Sequence, residues 1–435
     1  MPSTASTPWI STTKPGCSTS TATPGASSAC SVRPLRRGSN CRNAVRNRHA
    51  LTRRARNLIH SYEVQARSQW SAWRRNSEFA QGDRMFSNRC SLACILPPDL
   101  LLTLARDMTP EQRAALLRTL DVDHSFRLAR AEVAGRQGVR PGLTLAAPAG
   151  GAPRRTIYDQ RHSTATTLGK VARSEGQPPV ADVSVNQAYD NFGATYKMYW
   201  DVFHRDSIDG QGMAIAGLVH FGKDYDNAFW DGRGHMFFGD GDGRVLTDTT
   251  KGLDVVGHEL THGVTQYEAN LIYSGQSGAL NESISDVFGS LVKQYHLAQT
   301  ADQADWLIGA DIVGPELAPA LRSMKAPGTA NPHDRQPAVM TDYVQTASDN
   351  GGVHTNSGIP NHAFHVVATT LGGPAWKSAG SIWYDTVADP ALKPNATFAD
   401  FARLTLKQAR NRFGTTSAEA SAVGAGWDAV KVPVR

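Results

Sequence analysis

This chain contains HELTH at residues 258–262, followed by NESISD at residues 281–286. On a helix, positions i and i+4 share a face, so His258 and His262 can reach one metal ion. Glu259 lies between them, close enough to act on a metal-bound water without ligating the metal. This arrangement predicts a zinc site with a general base beside it.

The third protein ligand decides the kind of site, because catalytic zinc keeps one open position for water whereas structural zinc has four protein ligands. The apolar face of residues 278–296 predicts a second helix, on which Glu282 and Asp286 are i and i+4. Glu282 is predicted to bind the metal, and Asp286 to accept the outer N–H of a ligating histidine. Glu268 is a weaker candidate ligand, because it would need a sharp turn directly after His262. Two surface histidines on a solvated helix are the alternative to a metal site.

The run from residue 258 to residue 289 resembles the core of the thermolysin family of zinc endopeptidases. Three further stretches agree with that resemblance: YDNAFW at 225–230, LRS at 321–323 and DNGGVHTNSG at 349–358. Together they cover roughly residues 156 to 435. The resemblance implies an α+β fold with a β-rich N-terminal lobe, a mainly helical C-terminal lobe and the zinc helix, at about residues 253–267, between them.

The resemblance also implies a mechanism and a substrate site. Tyr273 and His354 would donate to the developing oxyanion, with Asp349 orienting His354. Arg322 would hold a substrate carbonyl on the leaving-amine side, with a surface salt bridge as its alternative role. Extended substrate would pair along an edge strand of Asn227, Ala228, Phe229 and Trp230. The pocket on the leaving-amine side would be formed by Leu246, Val255 and Leu321, which implies a preference for large apolar residues.

A calcium site is not expected where the family has its double-calcium site. Asp254 and Asp305 retain two of that site's carboxylates. The family's three glutamates are replaced here by Lys293, Leu307 and Ala310. Too few oxygens remain for an ion that prefers six to eight.

Upstream, residues 95–101 (ILPPDLL) resemble the start of the short propeptide of the protealysin-like subgroup. The expected organisation begins with a low-complexity basic leader at 1–84, a small helical propeptide (the prosegment) at 85–137 and a linker and maturation region at 138–155. A β-rich lobe with the zinc helix at 156–267 and a helical lobe at 268–435 follow. Thr109 and Gln112 predict a helix start by capping. The prosegment is expected to occupy the cleft through side-chain contacts, until a cut between about residues 136 and 155. A catalytically inactive zinc-binding homologue is the alternative function.

The charge distribution argues against nucleic acid as a partner. Residues 1–84 carry 14 Lys and Arg against 3 Asp and Glu, a net charge of +11, whereas the whole chain carries +6, so residues 85–435 carry −5. The basic leader is interpreted as disordered, or as sequence upstream of a true start at Met85; an RNA-binding tail is less favoured. Protein or peptide substrates, the chain's own propeptide as inhibitor, no membrane contact and a monomeric state are expected.

Cysteine usage and the N-terminus bear on location. All five cysteines precede residue 95, so the predicted catalytic body needs no disulfide. A structural thiol is favoured for Cys94 over a zinc-capping thiolate, and the role of Cys90 stays open. Residues 1–30 show no hydrophobic signal-peptide core. Secretion is nevertheless expected, by another export route or from a different true start, with an intracellular location as the alternative.

Overall fold

The computed structural model describes residues 93–134 and 151–434. The expected leader at 1–84, Cys90 and most of the expected linker lie outside these residues. The helices are α1 (Pro98–Asp107), α2 (Pro110–Ala134), α3 (Val183–Phe203), α4 (Leu253–Tyr267), α5 (Gly275–His296), α6 (Asp349–Asn356), α7 (Gly358–Leu371), α8 (Ala379–Ala388), α9 (Phe398–Phe413) and α10 (Ala418–Ala429), with 3-10 turns at Thr249–Lys251 and Met340–Asp342. No helix of the described residues is long and apolar enough to cross a membrane.

One mixed sheet organises the N-terminal lobe. Its strands are β1 (Ala93–Cys94), β2 (Arg155–Asp159), β3 (Lys170–Ser174), β4 (Ile215–Val219), β5 (Ala228–Trp230) and β6 (His235–Phe238), in the spatial order β1-β5-β6-β4-β2-β3. A separate antiparallel pair joins β7 (Leu307–Ile308) and β8 (Arg322–Ser323). Strand β1 comes from the expected prosegment and pairs antiparallel with β5. The segment expected to be the prosegment therefore supplies an edge strand to the sheet of the N-terminal lobe.

The segment before the zinc helix was expected to be β-rich, but it also contains helix α3, which has 21 residues. The segment contains many β-branched and aromatic residues, which favour strands. Its buried positions nevertheless include Val185, Tyr189, Phe192 and Tyr199, which recur at helical spacing. Asp182 caps the helix by accepting a hydrogen bond from the backbone N–H of Val185.

The zinc helix α4 has the bounds expected from the sequence, and α5 begins three residues earlier than expected. The two helices cross at very close range where Gly257 faces Gly289. A Cβ on Gly289 would lie 2.3 Å from the carbonyl oxygen of Asp254, and one on Gly257 would lie 3.1 Å from the Cα of Gly289. Because only glycine fits there, side chains of α5 can reach the histidines of α4.

Helix α2, from the expected prosegment, packs against the sheet. Helix α2 begins as predicted, since Thr109 N donates to Gln112 Oε1 (2.9 Å) and Gln112 N donates to Thr109 Oγ1 (3.4 Å). Further along α2, Phe126 packs against three aromatic rings of the catalytic lobe, with ring centroids 4.8 to 5.8 Å apart: Phe221, Phe229 and Phe237. The prosegment is thus anchored by its own hydrophobic contacts as well as by strand β1.

The helical lobe packs around stacked aromatic side chains. Trp383 of α8 and Trp427 of α10 lie with ring centroids 6.1 Å apart and nearly parallel, and both are fully buried. Helix α9 begins with a capping box between Thr397 and Asp400. Helix α7 of this lobe contributes Asn361, whose side-chain amide reaches Asp286 on α5. The helical lobe therefore contacts α5 through a buried hydrogen bond from α7.

Candidate active site

The structure brings His258, His262 and Glu282 together in one buried cluster. One ligand atom of each lies within 4.8 Å of the others. Helix α4 supplies both imidazoles from a single face, and α5 supplies the carboxylate across the glycine crossing. Glu268, the weaker candidate ligand, is not part of the cluster and forms an ion pair with Arg205 instead.

The donor set fits a zinc ion. His258 Nδ1 donates to Asp286 Oδ1 (2.8 Å) and His262 Nδ1 donates to Asn281 Oδ1 (2.8 Å). The two Nε2 atoms therefore present lone pairs to each other at 3.0 Å. Glu282 Oε2 is buried and accepts no hydrogen bond from any described residue. A divalent cation bound by these three atoms would remove both the repulsion between the two nitrogen lone pairs and the cost of burying Glu282 Oε2 without a partner.

The protonation of the cluster also suits a metal. Burial, followed by the neighbouring His258, holds the pKa of His262 well below its usual range. Metal ligation requires a neutral imidazole, so His262 needs no deprotonation at neutral pH. Asp286 fixes the tautomer of His258, as predicted from the sequence. Asn281, which the sequence did not single out, does the same for His262, together with Ser285 Oγ at 3.0 Å.

We expect Asn281→Ala to weaken zinc binding by about 10- to 100-fold, because the outer hydrogen bond that orients His262 is lost. Competition with a coloured zinc chelator measures the affinity. Asn411, whose side chain is exposed, provides the matched control, and Asn411→Ala should bind zinc like the parent. Equal affinities of the two variants would show that Asn281 does not support the metal.

Asp286 also forms a buried ion pair with Arg322. Arg322 Nε and Nη2 donate to its two oxygens (2.9 and 2.8 Å), and Asn361 adds a third bond (2.8 Å). Burial alone would raise the pKa of Asp286, but the charges of Arg322 and His258 outweigh burial and lower that pKa below its usual range. The alternative of a surface salt bridge for Arg322 is wrong, because Arg322 is only 5% exposed.

Glu259 is fully buried between the zinc cluster and the sheet. Its Oε2 accepts a hydrogen bond from the backbone N–H of Trp230 (3.1 Å), at the end of strand β5. Glu259 is not among the three grouped ligand residues. It therefore lies where a carboxylate can take a proton next to the metal site without binding the metal.

Tyr273 and His354 both contact Glu282 of the cluster. The Tyr273 hydroxyl donates to Glu282 Oε1 and lies 3.3 Å from His354 Nε2. His354 Nδ1 donates to Asp349 Oδ1 (2.8 Å), the orienting contact expected from the sequence. Burial would lower the pKa of His354, but Asp349 and Glu282 together raise it to about 9. At neutral pH His354 can therefore donate through both ring nitrogens.

The segment that bears His354 is more ordered than a plain loop. Residues 349–356 form α6, within which Asn350, Gly351 and Gly352 have positive φ angles of 51°, 90° and 75°. Glycine adopts these angles without steric cost, so the two glycines allow the chain to turn and direct His354 inward.

The expected substrate groups all contact the prosegment. Asn227, Arg322 and His354 each hydrogen-bond backbone groups of residues 94–96. These contacts involve main-chain groups of the prosegment, which corrects the expectation of side-chain contacts alone. The Cys94 thiol donates to its neighbour Leu96 O (3.2 Å), and Cys94 is not in the metal cluster. The geometry therefore does not support a zinc-capping thiolate.

The retained acidic residues of the double-calcium site are neutralised by a lysine. Lys293 Nζ lies 2.8 Å from Asp305 and 3.6 Å from Asp254. Burial raises the pKa of Asp254, and the Lys293 ammonium opposes that rise. The expectation of no calcium there stays a prediction, now with a cation of the chain itself between the two carboxylates.

Comparison with known proteins places this site in a family. Residues 153–266 match the thermolysin metallopeptidase catalytic domain, and residues 269–432 match the thermolysin metallopeptidase alpha-helical domain. An extracellular metalloprotease of Pectobacterium carotovorum is 47% identical over 350 residues, covering 79% of this chain and 97% of the relative. The chain belongs to the thermolysin family of metallopeptidases.

Two further relatives of this thermolysin-family chain are informative. Protease PrtS of a Photorhabdus strain is 50% identical over 270 residues, covering 60% of this chain and 71% of the relative. The solved precursor of protealysin, a metalloproteinase from Serratia proteamaculans, is 48% identical with a TM-score of 0.70, covering 78% of this chain and all of that one. The likeness to a precursor extends to the prosegment side of the molecule.

These findings confirm the expected activity of the thermolysin-family chain. It is a zinc-dependent endopeptidase made as a proenzyme, with the two-lobe α+β fold that the sequence predicted. The alternative of a catalytically inactive zinc-binding homologue is not supported.

Proposed function

We propose that the buried cleft hydrolyses extended polypeptides with Glu259 as the general base and His258, His262 and Glu282 as the zinc ligands. The observation that carries this proposal is the placement of Glu259: it is buried on the helix that bears both imidazoles, it is outside the group of three ligands, and its carboxylate is held by a backbone N–H of β5. Zinc, when bound, supplies a water of lowered pKa as the nucleophile.

The surrounding residues transfer the proton, stabilise the developing negative charge and orient the metal ligands. Glu259 takes the water's proton and passes it to the leaving amine, so that one carboxylate serves both steps. His354 and Tyr273 donate to the carbonyl oxygen as negative charge develops there, and Asp349 orients His354. Asp286 keeps the outer nitrogen of His258 protonated and so holds its metal-binding nitrogen bare.

Substrate binds as an added strand in this proposal. The backbone groups of strand β5 pair with the substrate backbone. The side-chain amide of Asn227 binds one backbone N–H and one backbone carbonyl of the substrate, as it does with Leu96, and Arg322 Nη1 donates to a substrate carbonyl, as it does to Ile95 O. The side chain that follows the cleaved bond enters an apolar pocket formed by Leu246, Val255 and Leu321, all of them buried. We infer a preference for large apolar residues on the leaving-amine side.

Casein hydrolysis by the matured protein tests the proposal. Activity should disappear with a zinc chelator and return when zinc is added back. A second assay with short peptides that differ only at the leaving-amine position should favour Leu or Phe over Asp. Activity that survives complete removal of zinc would refute the assignment.

The prosegment acts as the inhibitor of this site in our proposal. Asp123 of α2 is buried and accepts hydrogen bonds from Tyr225 and from Asn227 Nδ2 (2.9 Å), so it holds a substrate-binding side chain in place. Maturation then requires a cut in the region of residues 136–155. The domain boundaries expected from the sequence, a monomeric state and secretion belong to the same proposal; relatives named extracellular metalloproteases support the last.

The docking of the prosegment should weaken as pH rises, because of Asp99 in α1. Burial, and then the charge of Asp349, raise the pKa of Asp99 from 3.8 to about 6. Above pH 6 the Asp99 carboxyl is ionised in its buried position, which lowers the free energy of unfolding of the proenzyme. This destabilisation disappears as the pH falls through 6 towards 3.8, the ordinary pKa of Asp99. In a Glu259→Ala background, Asp99→Asn should raise the Tm of the proenzyme by about 2 °C at pH 7.5 and less at pH 5.

The control for this prediction lies on the same helix. Asp107 is exposed at the end of α1, so Asp107→Asn should leave the Tm difference between the two pH values unchanged. A Tm gain for Asp99→Asn that is equal at both pH values would argue that its carboxyl does not titrate in this range.

A further inference from the structure

Residues 94–96 of the prosegment cross the cleft in the manner of a bound peptide. Ile95 N donates to Ala228 O (3.2 Å), which continues the β1–β5 pairing by one residue. Leu96 N donates to Asn227 Oδ1 (3.1 Å), and Asn227 Nδ2 donates back to Leu96 O (3.3 Å). The three residues are thus held through their main chain, as an extended substrate would be.

Two carbonyl contacts fix the register of this segment relative to the proposed catalytic groups. Arg322 Nη1 donates to Ile95 O (3.0 Å), the carbonyl position on the leaving-amine side. His354 Nε2 donates to the preceding carbonyl, Cys94 O (2.8 Å), where an oxyanion would form. The peptide bond between these two carbonyls is Cys94–Ile95.

The other parts of the site are in the matching places. Ile95 is apolar and fully buried in the main hydrophobic core, to which Leu246, Val255 and Leu321 also belong. The base Glu259 accepts from Trp230 N, and Trp230 is the strand partner of Ala93, directly upstream of the bond. His354 is in turn 3.4 Å from Glu282 Oε2 of the metal cluster. The carbonyl of Cys94 is therefore bound by His354, which itself contacts the metal cluster.

We propose that the Cys94–Ile95 bond is itself a substrate of this active site and is cut within the same molecule. This inference rests on the proposed function. The water oxygen joins the carbonyl carbon of Cys94, the C–N bond breaks, and the Ile95 nitrogen receives the proton carried by Glu259. The products are a Cys94 carboxylate and a chain that begins with the amine of Ile95.

The cut does not by itself open the cleft. Helix α2 stays anchored through Asp123, the Phe126 contacts and the Arg118–Asp224 ion pair (3.0 Å), all of them downstream of the cut. Residues 95 and 96 therefore remain in the cleft as a bound product. Cleavage at Cys94–Ile95 precedes release, and the cut in the region of residues 136–155 is still needed to free the enzyme.

The test follows the amino termini formed by the purified, zinc-loaded full chain over time. Mass spectrometry should detect a chain that begins at Ile95, and its rate constant of formation should stay the same over a 100-fold dilution, as a reaction within one molecule requires. Ile95→Leu should still be cut, because it keeps an apolar side chain. Ile95→Asp should be cut more than about 100-fold more slowly, because its carboxylate would be buried without a partner.

A second readout needs no catalysis. In the Glu259→Ala proenzyme, hydrogen–deuterium exchange should show the amides of Ile95 and Leu96 protected, and Asn227→Ala should remove the protection of Leu96. Exchange of both amides at the rate of an unstructured peptide would overturn the register.

The outcomes separate this inference from the proposed function. Protein matured by limited trypsin digestion after Arg136 or Arg140 is assayed on casein in parallel. If it hydrolyses casein but the full chain forms no Ile95 terminus, the inference is wrong and the proposed function stands. If neither reaction occurs, the proposed function fails as well. A terminus whose rate rises in proportion to protein concentration overturns cleavage within one molecule.

Discussion

Replacing Glu259 by alanine should lower kcat for peptide hydrolysis by about 10³-fold, within the range for a lost general base. The zinc content should not change, because the carboxylate of Glu259 is outside the group formed by His258, His262 and Glu282. The measurement pairs kcat on a short peptide amide with elemental analysis of the same preparation. Both readouts are needed, since a lost metal would also abolish turnover.

A carboxylate elsewhere on the catalytic lobes provides the control for Glu259. Glu316 forms an ion pair with Arg244 at the surface, so Glu316→Ala should keep both kcat and zinc near the parent values. If Glu259→Ala retained full kcat, another group would have to take the proton. If it lost zinc, Glu259 would be a ligand and the mechanism above would be wrong.

Arg322→Ala should be the most destabilising of the changes considered for this site. Its removal leaves Asp286 buried with a charge that, among the described residues, His258 and Asn361 still contact through hydrogen bonds. Breaking one side of a buried ion pair typically costs about 3–5 kcal/mol. The free energy of unfolding, measured with denaturant in the Glu259→Ala background so that the protein does not digest itself, should fall by that amount.

Two further variants sharpen the Arg322 prediction. Arg244→Ala breaks an exposed ion pair and should cost no more than about 1 kcal/mol. Arg322→Lys keeps the positive charge but loses the two parallel bonds to Asp286, so its loss should fall between the two. Equal losses for Arg322→Ala and Arg244→Ala would mean that the buried pair contributes nothing special to stability.

The sequence predicted the zinc helix and its second carboxylate helix well, because their signals are local. Apolar residues at helical spacing and the i, i+4 placement of ligands depend only on the period of the helix. The bounds of α4 and the relation between Glu282 and Asp286 follow directly from that period. The same local logic was available for α3, but its many β-branched and aromatic residues favoured the strand interpretation there.

Other features could not be predicted because they join distant parts of the chain. Strand β1 has two residues, and its partner lies more than 130 residues downstream. Asn281 and Asn361 carry no motif, and their contacts with His262 and Asp286 exist only once the helices cross. Gly257 and Gly289 permit this crossing. They are needed because the two helices approach closely there, and the sequence of either helix alone does not specify that approach.

The pairing of β1 with β5 affects the tendency of the newly synthesised protein to aggregate. An uncovered strand at the border of a sheet invites any extended chain to add to it, including a neighbouring copy that has not finished folding. With β1 in place, that border is occupied from within the same polypeptide. The prosegment therefore also protects the proenzyme against aggregation. This edge becomes exposed again only when maturation frees it to bind a substrate.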